Sequence, residues 1–153
     1  MDYKIIERSE MKVVGINYPN AESQYDLIVY QWIALSARSH LILNKINPHI
    51  LYGVWHREDK SNDDLPSYLV GFEVTEFEKI PEGMMGFTVP GGRYGSMLQK
   101  GYLNYGKAYG QLMKWIKESD LEFRKPWTAT LEIYDTTMEI GDNYEVRICE
   151  PIS

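Results

Sequence analysis

The sequence predicts an α+β fold in a single domain, residues 1–153: two strand–helix–strand–strand modules, roughly 3–74 and 85–152, sharing an antiparallel sheet with both helices on one face. Three observations lead there. Short β-branched runs flank segments of helical period, and the same order of patterns occurs twice. No Pro/Gly/Ser-rich linker or low-complexity segment divides the 153 residues, a length that fits one domain with an ordinary core. Apolar residues make up 44% and charged residues 25%, which places the chain among globular proteins.

The elements follow in order. Lys12–Tyr18, KVVGINY, is short and β-branched and reads as a strand. From about Ala21 to Ile46, Tyr25, Val29, Trp32, Ser36 and Leu43 recur at helical spacing, so one helix is expected, stopped by Pro48. His49–His56 and Ser67–Val74 are two further strands, joined by a polar hairpin loop, His56–Ser67, that carries Asp63 and Asp64. Glu78–Met84 is an irregular connection. Gly86–Gly101 is a strand region, with PGGRYG (Pro90–Gly95) as a bend or bulge rather than a phosphate loop, since it lacks that motif's spacing and lysine. Tyr105–Ser119 is a helix with Tyr105, Ala108, Leu112 and Trp115 or Ile116 on one face. Ala129–Asp135 and Tyr144–Ile152 close the chain as strands. Trp32 and Trp115 are assigned to helix core faces.

Composition excludes several functions. A net charge of −6 with scattered Lys and Arg argues against direct nucleic-acid binding. The longest apolar stretch, Leu27–Leu35, is interrupted by Gln31 and too short to span a bilayer, and the N-terminus shows no signal-peptide pattern. Cys149 is the one cysteine, which points to a reducing, cytoplasmic location and has no base beside it to make a catalytic thiol. His40, His49 and His56 have no metal-ligand spacing, so neither a metal nor a cofactor is expected. The twelve Tyr and four Trp are abundant; their apolar faces and polar tips suit a lined cleft and equally a core.

Glu132 draws attention because it interrupts a strand between Leu131 and Ile133. Alternation puts Ala129, Leu131 and Ile133 on one face and Thr130, Glu132 and Tyr134 on the other. The apolar set is expected to meet the helices, leaving Glu132 and Tyr134 on the helix-free face. Gly53 and Trp55 would hold the matching positions in the first module, with Gly53 leaving room opposite Glu132. Two readings stand: a solvated polar face, or a groove.

The motifs YKIIERSEMKVVGINY, YGVW followed by YLVGFEV, IPEGM, VPGGRYGSMLQKG, the helix around Trp115, LEIYD and EVRICEPI occur together in this order. In this the chain resembles the GyrI-like small-molecule-binding domains, the effector-binding domains of bacterial multidrug-responsive transcription activators, over nearly its whole length. The resemblance implies a central groove on the sheet that takes lipophilic, cationic or aromatic ligands for sensing or sequestration. LEIYD matches the strand that carries the family's acidic groove residue, so the role transfers to Glu132. Tyr134, Trp55, Gly53 and Thr130 complete the expected ligand-binding set. Delocalised cations would offset the lost hydration of a walled carboxylate and gain cation–π contacts, and Glu132→Gln should leave stability unchanged or raise it. No recognition helix precedes the module, so DNA contact is not expected. Stand-alone relatives imply an alternative, a hydrolase of reactive cyclopropane-bearing alkylating compounds with Glu132 and Tyr134 as catalytic groups. A second alternative is a protein-interaction module acting on a topoisomerase.

Overall fold

The computed structural model describes residues 2–19, 21, 25–57, 66–100, 105–136 and 145–153. Ten elements run β1 Asp2–Arg8, β2 Met11–Tyr18, α1 Ile28–Arg38, β3 Ile50–His56, β4 Ser67–Val74, β5 Met85–Val89, β6 Gly92–Lys100, α2 Tyr105–Glu118, β7 Ala129–Asp135 and β8 Glu145–Ile152. All strands pair antiparallel in one eight-stranded sheet, order β1-β6-β8-β7-β3-β4-β2-β5. The α+β class and the antiparallel sheet are as the sequence predicts. The centre of the expected His56–Ser67 loop, with Asp63 and Asp64, lies outside the described residues.

The order mirrors itself about the β7–β3 junction, and the edge strands are exchanged. β1 pairs with β6 of the second half, and β5 pairs with β2 of the first. Six strand spacings separate β1 from β2, roughly 29 Å in a flat sheet at about 4.8 Å each. Yet only Ser9 and Glu10 connect them, three Cα steps that reach about 11 Å at most. The sheet must therefore curl until its edges meet. The β5–β6 link, Pro90–Gly91, crosses the β1–β2 link there: a Cβ on Gly91 would lie 2.8 Å from the Glu10 amide nitrogen and 3.0 Å from the Arg8 carbonyl oxygen. This is the physical content of the expected bend at PGGRYG: a glycine where two backbones touch.

Curling buries the helix-free face against itself. Met11 and Val13 of β2, Tyr52 and Val54 of β3, Tyr94 of β6, Leu131 of β7 and Cys149 of β8 form one cluster there, with no helix in it. The other face carries both helices. Leu35 of α1 packs with Val14, Ile16, Tyr68, Val70 and Phe72; Ala108, Leu112 and Ile116 of α2 pack with Met97, Tyr134, Val146 and Ile148. Trp32 and Leu51 border both clusters and join them into one helix-side layer.

Three expectations need correction. The first helix is much shorter than Ala21–Ile46: α1 gives way to a 3-10 turn at Ser39–Leu41, Ile42 is extended, and Asn44 has φ 66°. The chain then runs beside β4, where Lys45 bridges to Val74 and the Ile46 amide donates to the Glu73 carbonyl. The buried stripe of α1 is also displaced. Val29 and Ser36 face outward while Gln31 and Leu35 are buried, because the Gln31 amide donates to the carbonyls of Ile16 and Tyr68 at 2.7 and 2.6 Å. A polar residue on the inner face hides the stripe from a hydrophobicity reading. The third correction concerns the face of Glu132. Ala129 and Leu131 belong to the curled helix-free core, whereas Glu132 and Tyr134 point to the helix side, touching Tyr109 of α2 and Trp32 of α1. Alternation is right, but the faces are reversed, since curling gives the helix-free face an apolar core of its own.

Candidate functional site

The helix-side face around β7 and β3 is built on a pairing that the sequence does convey, Gly53 directly opposite Glu132; the antiparallel register also sets Trp55 opposite Thr130, a pairing the sequence match does not give. Glu132 is 2% exposed. Its Oε1 accepts hydrogen bonds from the hydroxyls of Tyr68 (2.5 Å) and Tyr134 (2.6 Å), and its Oε2 from Trp55 Nε1 (3.0 Å) and the Tyr109 hydroxyl (2.6 Å). A carboxylate offers about four lone-pair sites, and four donors fill them. Burial foremost, and the charge of Glu132 next, hold the Tyr109 hydroxyl well above the ordinary tyrosine range, so it remains a donor.

Each donor has a structural reason to be there. Gly53 admits Tyr68 from the neighbouring strand: a Cβ at this position would sit 2.1 Å from the Tyr68 oxygen. The space that Gly53 was expected to leave for a ligand is thus filled by a tyrosine hydroxyl. Tyr109 comes from the buried side of α2, one residue after Ala108. Trp32 stacks edge-on against Tyr134 (5.0 Å between centroids) and Tyr68 (6.5 Å), and covers the acid from α1. The expected core role of Trp32 becomes a roof over this cluster, while Trp115 stacks on Tyr3 at 5.3 Å.

Beside this cluster opens a cleft of about 460 Å³. Aromatic and apolar side chains wall it: Trp55, Tyr109, Phe123 and Trp127 with Met113 and Pro151. Of the expected site residues, Trp55 and Thr130 line the cleft. Glu132, Tyr134 and Gly53 do not; they stand behind Trp55 and Tyr109, whose outer faces form the wall and whose polar tips hold Glu132.

A second acid lines the cleft, and the sequence reading missed it. Glu150 of β8 is 8% exposed, and its Oε2 accepts a hydrogen bond from Thr130 Oγ1 at 3.0 Å. Thr130 in turn accepts from Trp127 Nε1 at 3.0 Å. Burial pushes the Glu150 carboxyl up to about 7; the Thr130 bond works against this and the Glu132 charge adds to it. The signal was present in CEPI, where a glutamate interrupts a terminal strand as Glu132 interrupts LEIYD.

Cys149 and His56 lie away from the cleft. Burial pushes the Cys149 thiol up to about 12, which leaves it unreactive on the helix-free face. His56 is fully buried against Phe87 and pairs through Nε2 with Asn17 Oδ1 at 2.8 Å. No cluster of three or more His, Cys, Asp or Glu that could hold a metal occurs among the described residues. Among them no helix is long and apolar enough to cross a membrane.

Comparison with known proteins agrees with this architecture. The transcriptional regulator BrlR of Pseudomonas aeruginosa is 34% identical over 101 residues, which is 66% of this chain and 36% of the regulator; the chain thus matches about a third of that protein. The structure of SAV2435 bound to tetraphenylphosphonium superposes with a TM-score of 0.73 over 100% of this chain and 94% of that one, at 20% identity. The EcmrR C-terminal domain gives 0.70 over 99% and 97%, at 17% identity. Both likenesses establish the shared fold. Residues 1–153 match the family described as the GyrI-like small molecule binding domain, and the chain belongs to that family.

Proposed function

We propose that the cleft between α2 and the β7–β8 face binds lipophilic small molecules, aromatic and cationic, for sensing or sequestration. The observation that carries this is the makeup of its walls. Four aromatic side chains, Trp55, Tyr109, Phe123 and Trp127, enclose a space of about 460 Å³, within the range of small-molecule sites. Two buried acids stand within or behind those walls. Aromatic faces attract a delocalised cation by about 0.5–2 kcal/mol each, and low polarity next to the acids strengthens that attraction. In this proposal Trp55 and Thr130 touch the ligand. Glu132, with Tyr134 and Gly53, supplies negative potential and fixes the wall from behind. The mirrored strand order supports reading residues 3–74 and 85–152 as repeats within the one domain. The location is taken as cytoplasmic and the net charge of −6 argues against direct DNA contact.

The hydrolytic alternative would need Glu132 to take a proton from water. All its lone-pair sites already accept hydrogen bonds, and one of the donors is Tyr134, the other catalytic candidate. Binding without turnover is therefore the reading that the geometry supports.

The test is a tryptophan-fluorescence titration with tetraphenylphosphonium, the ligand of the SAV2435 structure, and with uncharged triphenylphosphine oxide. Saturable binding is expected for the cation and weaker binding for the oxide. Trp127→Ala should weaken the cation about 3- to 30-fold, the loss of one good cation–π contact. Absence of saturable binding, or equal affinity in the Trp127→Ala protein, overturns the proposal.

A further inference from the structure

The two buried acids of the helix-side face differ in what remains open on them. Glu132 has every lone-pair site occupied and does not line the cleft. Glu150 lines the cleft, and its one hydrogen bond among the described residues is the bond that Oε2 accepts from Thr130. Glu150 keeps 8% of its surface exposed, and the cleft it lines is where that exposure lies. We propose that Glu150 is the carboxylate that contacts the ligand, that it selects aromatic cations over neutral aromatics, and that Thr130 is its positioning residue. This rests on the reading of the cleft as a binding site.

The chemistry follows from the surroundings. Glu132 of β7 and Tyr109 of α2 are near enough to Glu150 for their charges to interact. Arg57, after β3, and Arg124, before β7, line the cleft as well. The Arg124 guanidinium is committed to the carbonyls of Ile152 and Arg93 and to Thr128 Oγ1, and Arg57 lies over the Trp127 ring at 5.5 Å. On β6, Gly95 is the register partner of Glu150, and the Arg93 side chain donates to the Ser153 carbonyl. No ion pair to Glu150 is present among the described residues. The acid thus keeps its charge at a cost that an incoming cation removes. Because the carboxyl is held near 7, a permanent cation should displace its proton on binding, and affinity should follow the ionised fraction.

The experiment is a tetraphenylphosphonium titration of the whole chain at pH 6 and pH 8, for wild type, Glu150→Gln and Thr130→Val. Wild type should bind roughly tenfold more tightly at pH 8, since the ionised fraction of a group near 7 rises from about a tenth to about nine tenths. Glu150→Gln, nearly isosteric, should lose that difference and bind about tenfold more weakly than wild type at pH 8. Thr130→Val keeps the acid but removes its hydrogen bond, so the rise in affinity should move to higher pH. Within each protein, triphenylphosphine oxide should show a much smaller change in affinity between the two pH values than the cation shows in wild type. If Glu150→Gln retains wild-type affinity together with the wild-type pH response, the assignment to Glu150 is overturned while the cleft reading stands. If wild type does not bind at either pH, the cleft reading is overturned and this assignment with it.

Discussion

Glu132 and Glu150 sit on neighbouring strands, β7 and β8, on the same face of the sheet and at nearly the same burial, 2% and 8% exposed. Their environments differ. Glu132 is held by four donors drawn from β3, β4, β7 and α2. Glu150 is held by one, from β7. The comparison shows that two acids of nearly equal burial can differ widely in how far the protein fills their lone pairs. What separates an acid built into the fold from one kept available is how many of its lone pairs the protein has already filled.

The largest expected effect comes from breaking the saturated acid. In Glu132→Gln the amide oxygen can accept about two hydrogen bonds, while the new NH2 group meets hydroxyl and indole donors. At least two buried donors lose their acceptor at about 1–3 kcal/mol each, so unfolding free energy should fall by about 2–6 kcal/mol. This reverses the expectation from sequence that removing a buried charge would leave stability unchanged or raise it. Urea denaturation of the two proteins decides the matter; equal midpoints and slopes would mean that the four bonds add nothing to the fold. Gly53→Ala attacks the same cluster without touching the acid. Its methyl would sit 2.1 Å from the Tyr68 oxygen and must displace that hydroxyl from Glu132. Overpacking and a lost bond together suggest about 2–4 kcal/mol. Wild-type stability in Gly53→Ala would show that Tyr68 can move aside freely.

The unsaturated acid should respond to pH instead. Glu150 in the folded state is raised to about 7 from 4.5, so its stabilising contribution is full below about 4.5 and is lost as pH rises through 7. His56 acts in the opposite sense. Burial lowers it from 6.5 to about 4, so its contribution is full above about 6.5 and is lost as pH falls through 4. Wild type should therefore be most stable near pH 5–6. Glu150→Gln removes the falling arm: its stability should keep rising to about pH 7 and exceed wild type at pH 8 by about 1–3 kcal/mol. Thermal melts from pH 4 to 8 test this, and a Glu150→Gln curve parallel to wild type would place the titration elsewhere.

Much of this arrangement can be read from the sequence, because it depends on local pattern. The strands Ser67–Val74 and Ala129–Asp135 and the α2 face of Ala108, Leu112 and Ile116 come from period alone, and so does the placement of Glu132 with Tyr134 and Thr130. What the sequence conceals is non-local. That the helix-free face of β7 holds an apolar core depends on how Ser9–Glu10 and Pro90–Gly91 force the sheet to curl, a property of strand order rather than of any segment. The four donors to Glu132 come from positions 55, 68, 109 and 134, and nothing in the local pattern sets Tyr68 or Tyr109 apart from the other tyrosines. Glu150 was hidden for a simpler reason. Its strand, Glu145–Ile152, already carries a charge at Glu145 and another at Arg147, so one more acid did not stand out until Thr130 was seen beside it.

The smallest effect separates the two duties of Thr130. Its hydroxyl donates to Glu150 and accepts from Trp127. Thr130→Val preserves shape and removes both bonds. The Trp127 indole loses its acceptor at any pH, which should cost about 1 kcal/mol. The bond to Glu150 matters most when the acid is charged, because that bond lowers the carboxyl from where burial alone would put it. Without it the folded carboxyl moves further above its unfolded value, and the loss of stability with rising pH becomes steeper. Thr130→Val should therefore cost about 1 kcal/mol at pH 5, where Glu150 is protonated with or without Thr130, and about 1 kcal/mol more at pH 8. Melting curves at the two pH values suffice to tell. An equal loss at both would mean that Thr130 serves Trp127 alone, that Glu150 stands without support from β7, and that the contrast between the saturated and the available acid is sharper still.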